Sequence, residues 1–131
     1  MGLMINADAN PVTYHIPIPV PLHWQEEVKA GLDRDVALGV LEPVPIGEPV
    51  TWGNRMVVCA KKNGQPRGMV DQEALNQHAT RETHHTQSPF HLARSVPNKK
   101  EKSIFDCRNG CHSAAIHPDD SHLTTFITPW G

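Results

Sequence analysis

No apolar run in the 131 residues is long enough to cross a bilayer, because Pro or a charged residue interrupts every candidate. The start, Met1-Gly2-Leu3-Met4-Ile5-Asn6, lacks both a basic opening and a long apolar stretch, so no secretory signal is expected. Asn6 stands where N-myristoylation needs Ser or Thr. Cysteine is scarce and odd in number (Cys59, Cys107 and Cys111), so the expectation is reduced thiols in an intracellular compartment, cytoplasm or nucleus. Internal repeats are lacking, and so is a nucleophile elbow of the hydrolase kind. Cys107-x3-Cys111-His112 and His117-x4-His122 are loosely zinc-like, but neither reproduces a paired Cys-x2-Cys knuckle.

Positive charge is also scarce in one half. Up to Asn54 there are two basic residues, Lys29 and Arg34, against seven acidic ones. From Arg55 to Lys102 there are nine basic and four acidic, a local excess of five positive charges hidden in a net charge of −2. Such asymmetry points to a polyanionic partner on one face, or to a solvated basic face with no partner. The length and the 38% hydrophobic content suit one small domain or a part of a larger one.

Residues 1 to 22 read as an extended, Pro-rich arm or linker, since Pro11, Pro17, Pro19 and Pro21 alternate with apolar residues. A helix is expected from His23 to Val40. Trp24, Val28, Leu32, Val36 and Val40 recur every fourth residue as one apolar stripe, and Pro43 ends the pattern. A hairpin follows: a β-prone run from Arg55 to Ala60, the turn Lys61-Lys62-Asn63-Gly64, and a returning strand from Arg67 to Asp71. Asp71 to Gln77 suits one or two helical turns, and His91 to Ser95 a short helix in a polar loop. Ser103 to Cys107 reads as a short buried strand, and Leu123 to Thr128 as another.

These pieces stand in a recognisable order. Gly39-Val40-Leu41-Glu42-Pro43 precedes Lys61-Lys62-Asn63-Gly64, Arg67, Val70-Asp71 and Leu75-Asn76. Ile104-Phe105-Asp106, Asn109-Gly110 and His112 follow, then Pro118-Asp119-Asp120 and Thr124-Thr125-Phe126-Ile127-Thr128-Pro129-Trp130-Gly131. Over residues 22 to 131 this resembles the reverse transcriptase of gypsy-type long-terminal-repeat retrotransposons. That family runs along G-I-I-x-P, V-x-K-K-D-G-x-x-R-x-x-V-D-Y-R-x-L-N, D-L-x-S-G-Y-H-Q and T-A-F-x-T-P-F-G.

The resemblance implies an α+β, partial right-hand polymerase fold. Residues 23 to 131 would form the fingers hairpin and the first strands of the palm, stopping before the Tyr-x-Asp-Asp motif. The implied parent activity is RNA-directed DNA synthesis from deoxynucleoside triphosphates on a primed RNA or DNA template. Two ions, Mg²⁺ or Mn²⁺, serve that chemistry in the complete enzyme. By resemblance Lys61 and Arg67 hold the triphosphate, Asp106 is the first catalytic, metal-binding aspartate, and the Cys107 backbone carbonyl is a further metal ligand. From charge rather than from the resemblance, Lys62, Arg81, Arg94, Lys99, Lys100 and Lys102 are expected to meet a nucleic-acid backbone. Asp119 and Asp120 match a solvent-facing turn of the family rather than the missing carboxylate pair.

Read alone, Lys61 and Arg67 are equally two exposed cations beside a turn, and Asp106 equally a residue that terminates a strand. The pattern departs from the family at Cys111, where a bulky Tyr or Phe meets the nucleotide sugar, at Gln72, and at Gly68 inside a strand. With one of three carboxylates, the isolated chain is expected to hold no metal tightly and not to polymerise. The rest of the palm, the thumb and an RNase H domain are expected downstream. Two alternatives stand beside this reading: a non-catalytic nucleic-acid-binding module, and a retroelement remnant whose sheet edge and Trp130 are exposed.

Overall fold

The apolar stripe of the first helix meets a sheet on one side only, and that pairing organises the fold. The computed structural model describes residues 1–80, 86–97, 101, 103, 105–107 and 110–131. Helix α1 runs over Leu22–Ala37. Its Val28 is buried, while Trp24 and Leu32 pack beside it against Val20 and Met56. Val36 and Val40 stay 40% and 38% exposed, so the stripe is used for three of its five positions. The helix ends at Ala37, short of Val40 and well before Pro43. Gly39 takes a left-handed φ of 70°, which lets the Gly39 and Val40 N–H groups bond back to the Val36 and Asp35 carbonyls at 3.0 and 2.9 Å. The glycine, not the proline, is the stop.

Strand β1 (Asn54–Ala60) pairs antiparallel with β2 (Pro66–Asp71), from Arg55 opposite Asp71 to Ala60 opposite Pro66. The two-residue strand β3 (Phe126–Ile127) lies parallel to β1 on its other side, giving the order β2-β1-β3. The hairpin forms where expected. Its loop closes with Lys61 N–H on the Gln65 carbonyl at 2.8 Å and Gly64 N–H on the Lys61 carbonyl at 2.9 Å. Gly64 in this loop carries the positive φ of 80° that such a closure favours. Gly68 leaves space on β2 that the Met56 sulfur approaches, 3.6 Å from where a Cβ would stand.

Two short helices follow β2: α2 (Glu73–His78) and α3 (Pro89–Ser95). The Asp71 carboxylate accepts the Glu73 N–H at 3.1 Å, which starts α2 directly after the strand. Two 3-10 turns, Gly110–Ser113 and Pro118–Thr124, precede β3.

The strand expected over Ser103 to Cys107 is not formed. Ser103, Phe105, Asp106 and Cys107 are exposed and outside any strand, with Phe105 92% exposed; Ile104 lies outside the described residues. A strand needs a ladder partner, and no ladder among the described residues includes Ser103, Phe105, Asp106 or Cys107; the sheet consists of β2, β1 and β3 alone. The strand expected over Leu123 to Thr128 shrinks to Phe126–Ile127. Upstream of it the hydroxyls of Ser121, Thr124 and Thr125 bond to carbonyls three residues earlier, holding that stretch in a tight turn. Leu123 is nonetheless buried, as one inward residue of that turn.

The Pro-rich arm is extended, and it is built into the body. Leu3, Ile5, Ala9 and Val12 pack against a second cluster of Trp52, Leu75 and Leu123, while Val20 belongs to the first. Ile5 bridges to Ala79 and Thr13 to Gly53. Successive backbone groups of a strand point to opposite edges. Asn54 N–H bonds toward β3 at Thr125, so the Gly53 bonds to Val12 and Tyr14 point the other way. The arm therefore fills the edge that β2 leaves after Asp71.

Candidate functional site

The ladder register decides which side chains share a face. Residues directly opposite in an antiparallel pair project to the same side, and so do residues two apart on one strand. Met56 and Val58 face α1 and the core. Arg55, Val57, Cys59 and Lys61 therefore face outward, with Arg67, Met69 and Asp71 opposite the first three of them in the order Cys59, Val57, Arg55. Lys61 and Arg67 thus lie on one outward face at the tip end of the hairpin. Lys61, Lys62 and Arg67 are all exposed. Among the described residues none of the three forms an ion pair, so their charge is available to an anion.

Arg55 shares this face and was not singled out by the sequence. Its guanidinium carbon sits 4.2 Å from the centre of the Tyr14 ring, a cation–π contact between β1 and the arm. Its Nε is buried and has no hydrogen-bond partner. The contact depends on the arm lying close, which Gly53 permits: a Cβ there would stand 2.6 Å from the Thr13 Cγ2. The Thr13 hydroxyl donates to the Thr51 carbonyl at 2.6 Å and pins the same point. A glycine before a β-prone run was the available signal, but nothing in the sequence names its partner.

Asn54 is a second residue that sequence reasoning missed. It is 3% exposed, and its side-chain amide donates to the Thr125 carbonyl at 2.9 Å and the Leu123 carbonyl at 3.4 Å. Those bonds join β1 to the turn before β3, across some seventy positions of chain.

The structure does not gather the acidic residues. Asp106 and Cys107 are exposed, and among the described residues no three His, Cys, Asp or Glu side chains converge as a metal would require. The described residues therefore supply no converging set of the oxygen ligands that each divalent ion of such a pair needs. Asp119 is exposed as expected, whereas Asp120 is half-buried and accepts the Leu3 N–H at 2.8 Å. That carboxylate secures the arm instead of facing only solvent. Cys111 lies in the exposed 3-10 turn Gly110–Ser113, and Arg94 in the last turn of α3, also exposed. Arg81, Lys99, Lys100 and Lys102 lie outside the described residues.

No protein-family model and no curated protein matches the chain. Among solved structures it is similar to the crystal structure of prototype foamy virus protease-reverse transcriptase, a selenomethionine-labelled mutant, with a TM-score of 0.77 at 20% identity. The likeness covers 95% of this chain and 16% of that one. No helix among the described residues is long and apolar enough to cross a membrane. A mixed α+β body with a three-stranded sheet, superposable over 95% of its length on part of that protein, means that the chain has a reverse-transcriptase-like fold.

Proposed function

We propose that the chain is part of a retrotransposon reverse transcriptase of gypsy type, and that its hairpin serves as the fingers element over an incoming deoxynucleoside triphosphate. The observation that carries this reading is the placement of Lys61 and Arg67 on one outward face beside the Lys61–Gln65 closure, in a chain with a reverse-transcriptase-like fold. Two cations on a short rigid hairpin neutralise a triphosphate without spending the entropy of ordering a loop. Arg67 offers a planar fork of donors and Lys61 a mobile point charge, which suits phosphate oxygens at differing positions.

Asp106 is assigned as the metal-binding aspartate of the complete polymerase, with the Cys107 carbonyl beside it and Cys111 against the nucleotide sugar. In the complete polymerase Asp106 and the Cys107 carbonyl would help hold a divalent cation such as Mg²⁺ or Mn²⁺, which would supply charge neutralisation at the reacting phosphate. With one exposed carboxylate and no converging partners among the described residues, the 131-residue chain is assigned no polymerase activity of its own. Template and primer, either RNA or DNA, are partners of the complete enzyme.

The test is titration of a deoxynucleoside triphosphate into the chain at low salt, followed by amide shifts. Shifts centred on Lys61, Lys62 and Arg67 and abolished in Lys61→Ala/Arg67→Ala support the reading. Shifts spread evenly over the surface, or unchanged in the double variant, refute it. Primer extension by the purified chain that is lost in Asp106→Asn would refute the assignment of no activity.

A second reading rests on the same exposed cations. A module with Lys61, Lys62, Arg67 and Arg94 unpaired among the described residues can hold a nucleic-acid backbone without chemistry. Binding of a single strand that persists without any triphosphate response would favour it.

A further inference from the structure

Two of the three cysteines lie four positions apart in the chain, and one of them stands beside the neighbour of the other. Cys107 and Cys111 are both exposed, and no described element covers either. Cys107 lies beside the start of the 3-10 turn Gly110–Ser113. Its Cβ stands 3.2 Å from where a Cβ on Gly110 would be. Gly110 is the immediate neighbour of Cys111, and its missing side chain lets Cys107 approach that closely. The turn that carries Cys111 buries none of its residues and is closed by a long bond of 3.4 Å from Ala114 N–H to the Cys111 carbonyl. It can adjust without disturbing the core.

We propose that Cys107 and Cys111 form a reversible dithiol–disulfide switch, oxidised by low-molecular-weight disulfides of the glutathione class. A disulfide needs Cβ atoms about 3.5–4.5 Å apart. With Cys107 already against position 110, that geometry lies within the adjustment of one exposed turn. One thiolate attacks a sulfur of the small disulfide, whose S–S bond breaks to release one small thiolate and leave a mixed disulfide. The second protein thiolate then attacks the protein sulfur of that mixed disulfide and expels the second small thiol. Two electrons pass from the protein dithiol to the small disulfide, which becomes two thiols as the protein's two protons are transferred. Cys59 takes no part, because it projects from β1 opposite Arg67 in another element.

The proposal stands whether or not the chain belongs to a polymerase. If it does, the ring ties the residue after Asp106 to the residue assigned to the sugar.

The sequence supplies a convenient readout, because Arg108 lies between the two cysteines and trypsin separates them. The full chain is equilibrated with mixtures of oxidised and reduced glutathione, alkylated, digested and analysed by mass spectrometry. A tryptic pair joined through Cys107 and Cys111 is expected, with Cys59 alkylated throughout and the same product from Cys59→Ser. The equilibrium constant against glutathione should exceed that of the same chain in urea by about tenfold, since folding presents the pair. Cys107→Ser and Cys111→Ser should each stop at a glutathione adduct. Separate alkylation of both cysteines at every ratio, a link through Cys59, or equal constants with and without urea would overturn the proposal.

Discussion

The Arg55 guanidinium lies 4.2 Å from the Tyr14 ring centre, so the outward face of the hairpin and the N-terminal arm are held to each other by a charge on an aromatic face. Removal of that ring leaves Arg55 Nε buried beside nothing that compensates it. Tyr14→Ala is expected to cost about 1 kcal/mol, measured by urea unfolding. Tyr14→Phe, which keeps the ring, should cost little.

Gly53 controls the same docking from the backbone side. A Val there would drive its Cβ into Thr13, since even the bare Cβ position is 2.6 Å from the Thr13 Cγ2. The neighbour is a pinned residue and not the free end of a long chain. Gly53→Val should destabilise by about 1–3 kcal/mol and raise amide exchange at Tyr14 and Gly53, whose N–H groups form the bridge. Unchanged exchange at both would count against an arm built into the body.

Asn54 joins β1 to the turn before β3 through a buried amide. Asn54→Ala leaves the Thr125 and Leu123 carbonyls short of a donor, and a cost of about 1–3 kcal/mol is expected. A thermal melt would register it, and loss of the Asn54 N–H to Thr125 bond by hydrogen exchange would locate it.

Met56 is the most buried side chain of the first cluster at 2% exposure. Met56→Ala is expected to cost about 2–5 kcal/mol. With six buried apolar residues named among those described, a loss of that size should remove cooperative melting altogether.

The outward cations make a salt-dependent prediction. Each phosphate contact on a single strand contributes about −0.7 to the slope of log affinity against log salt. Lys61→Ala and Arg67→Ala should each flatten that slope by about this amount, read by fluorescence anisotropy. A slope near zero for the unmodified chain would remove the nucleic-acid face.

In a complete polymerase carrying these residues, Cys111→Tyr should sharpen the exclusion of ribonucleotides. If Cys111 stands against the sugar as proposed, a bulky ring there would meet the extra hydroxyl where a small thiol does not. Competition between matched deoxy- and ribonucleoside triphosphates in primer extension measures it, and unaltered discrimination would dissociate Cys111 from the sugar.

Local signals carried a large share of the fold. The four-residue apolar spacing from Trp24 marked α1, and the alternation around Lys61-Lys62-Asn63-Gly64 marked the hairpin, because helix stripes and turn residues act over a few positions. The hairpin register then follows, and with it the shared face of Lys61 and Arg67. The strand expected at Ser103 to Cys107 failed for the opposite reason. Strand formation depends on a partner edge elsewhere in the chain, and no described strand pairs with Ser103, Phe105, Asp106 or Cys107.

By itself, the sequence determined the hairpin, the helix stripe, the placement of positive charge after Asn54, and the Cys-x3-Cys spacing, all properties of neighbours in the chain. Only the tertiary structure decided that Gly39 stops α1, that the arm replaces β2 beside Gly53, that Tyr14 covers Arg55, and that Asp120 holds Leu3. Those depend on distances between segments far apart in sequence, which packing and backbone hydrogen bonding set once the two core clusters close.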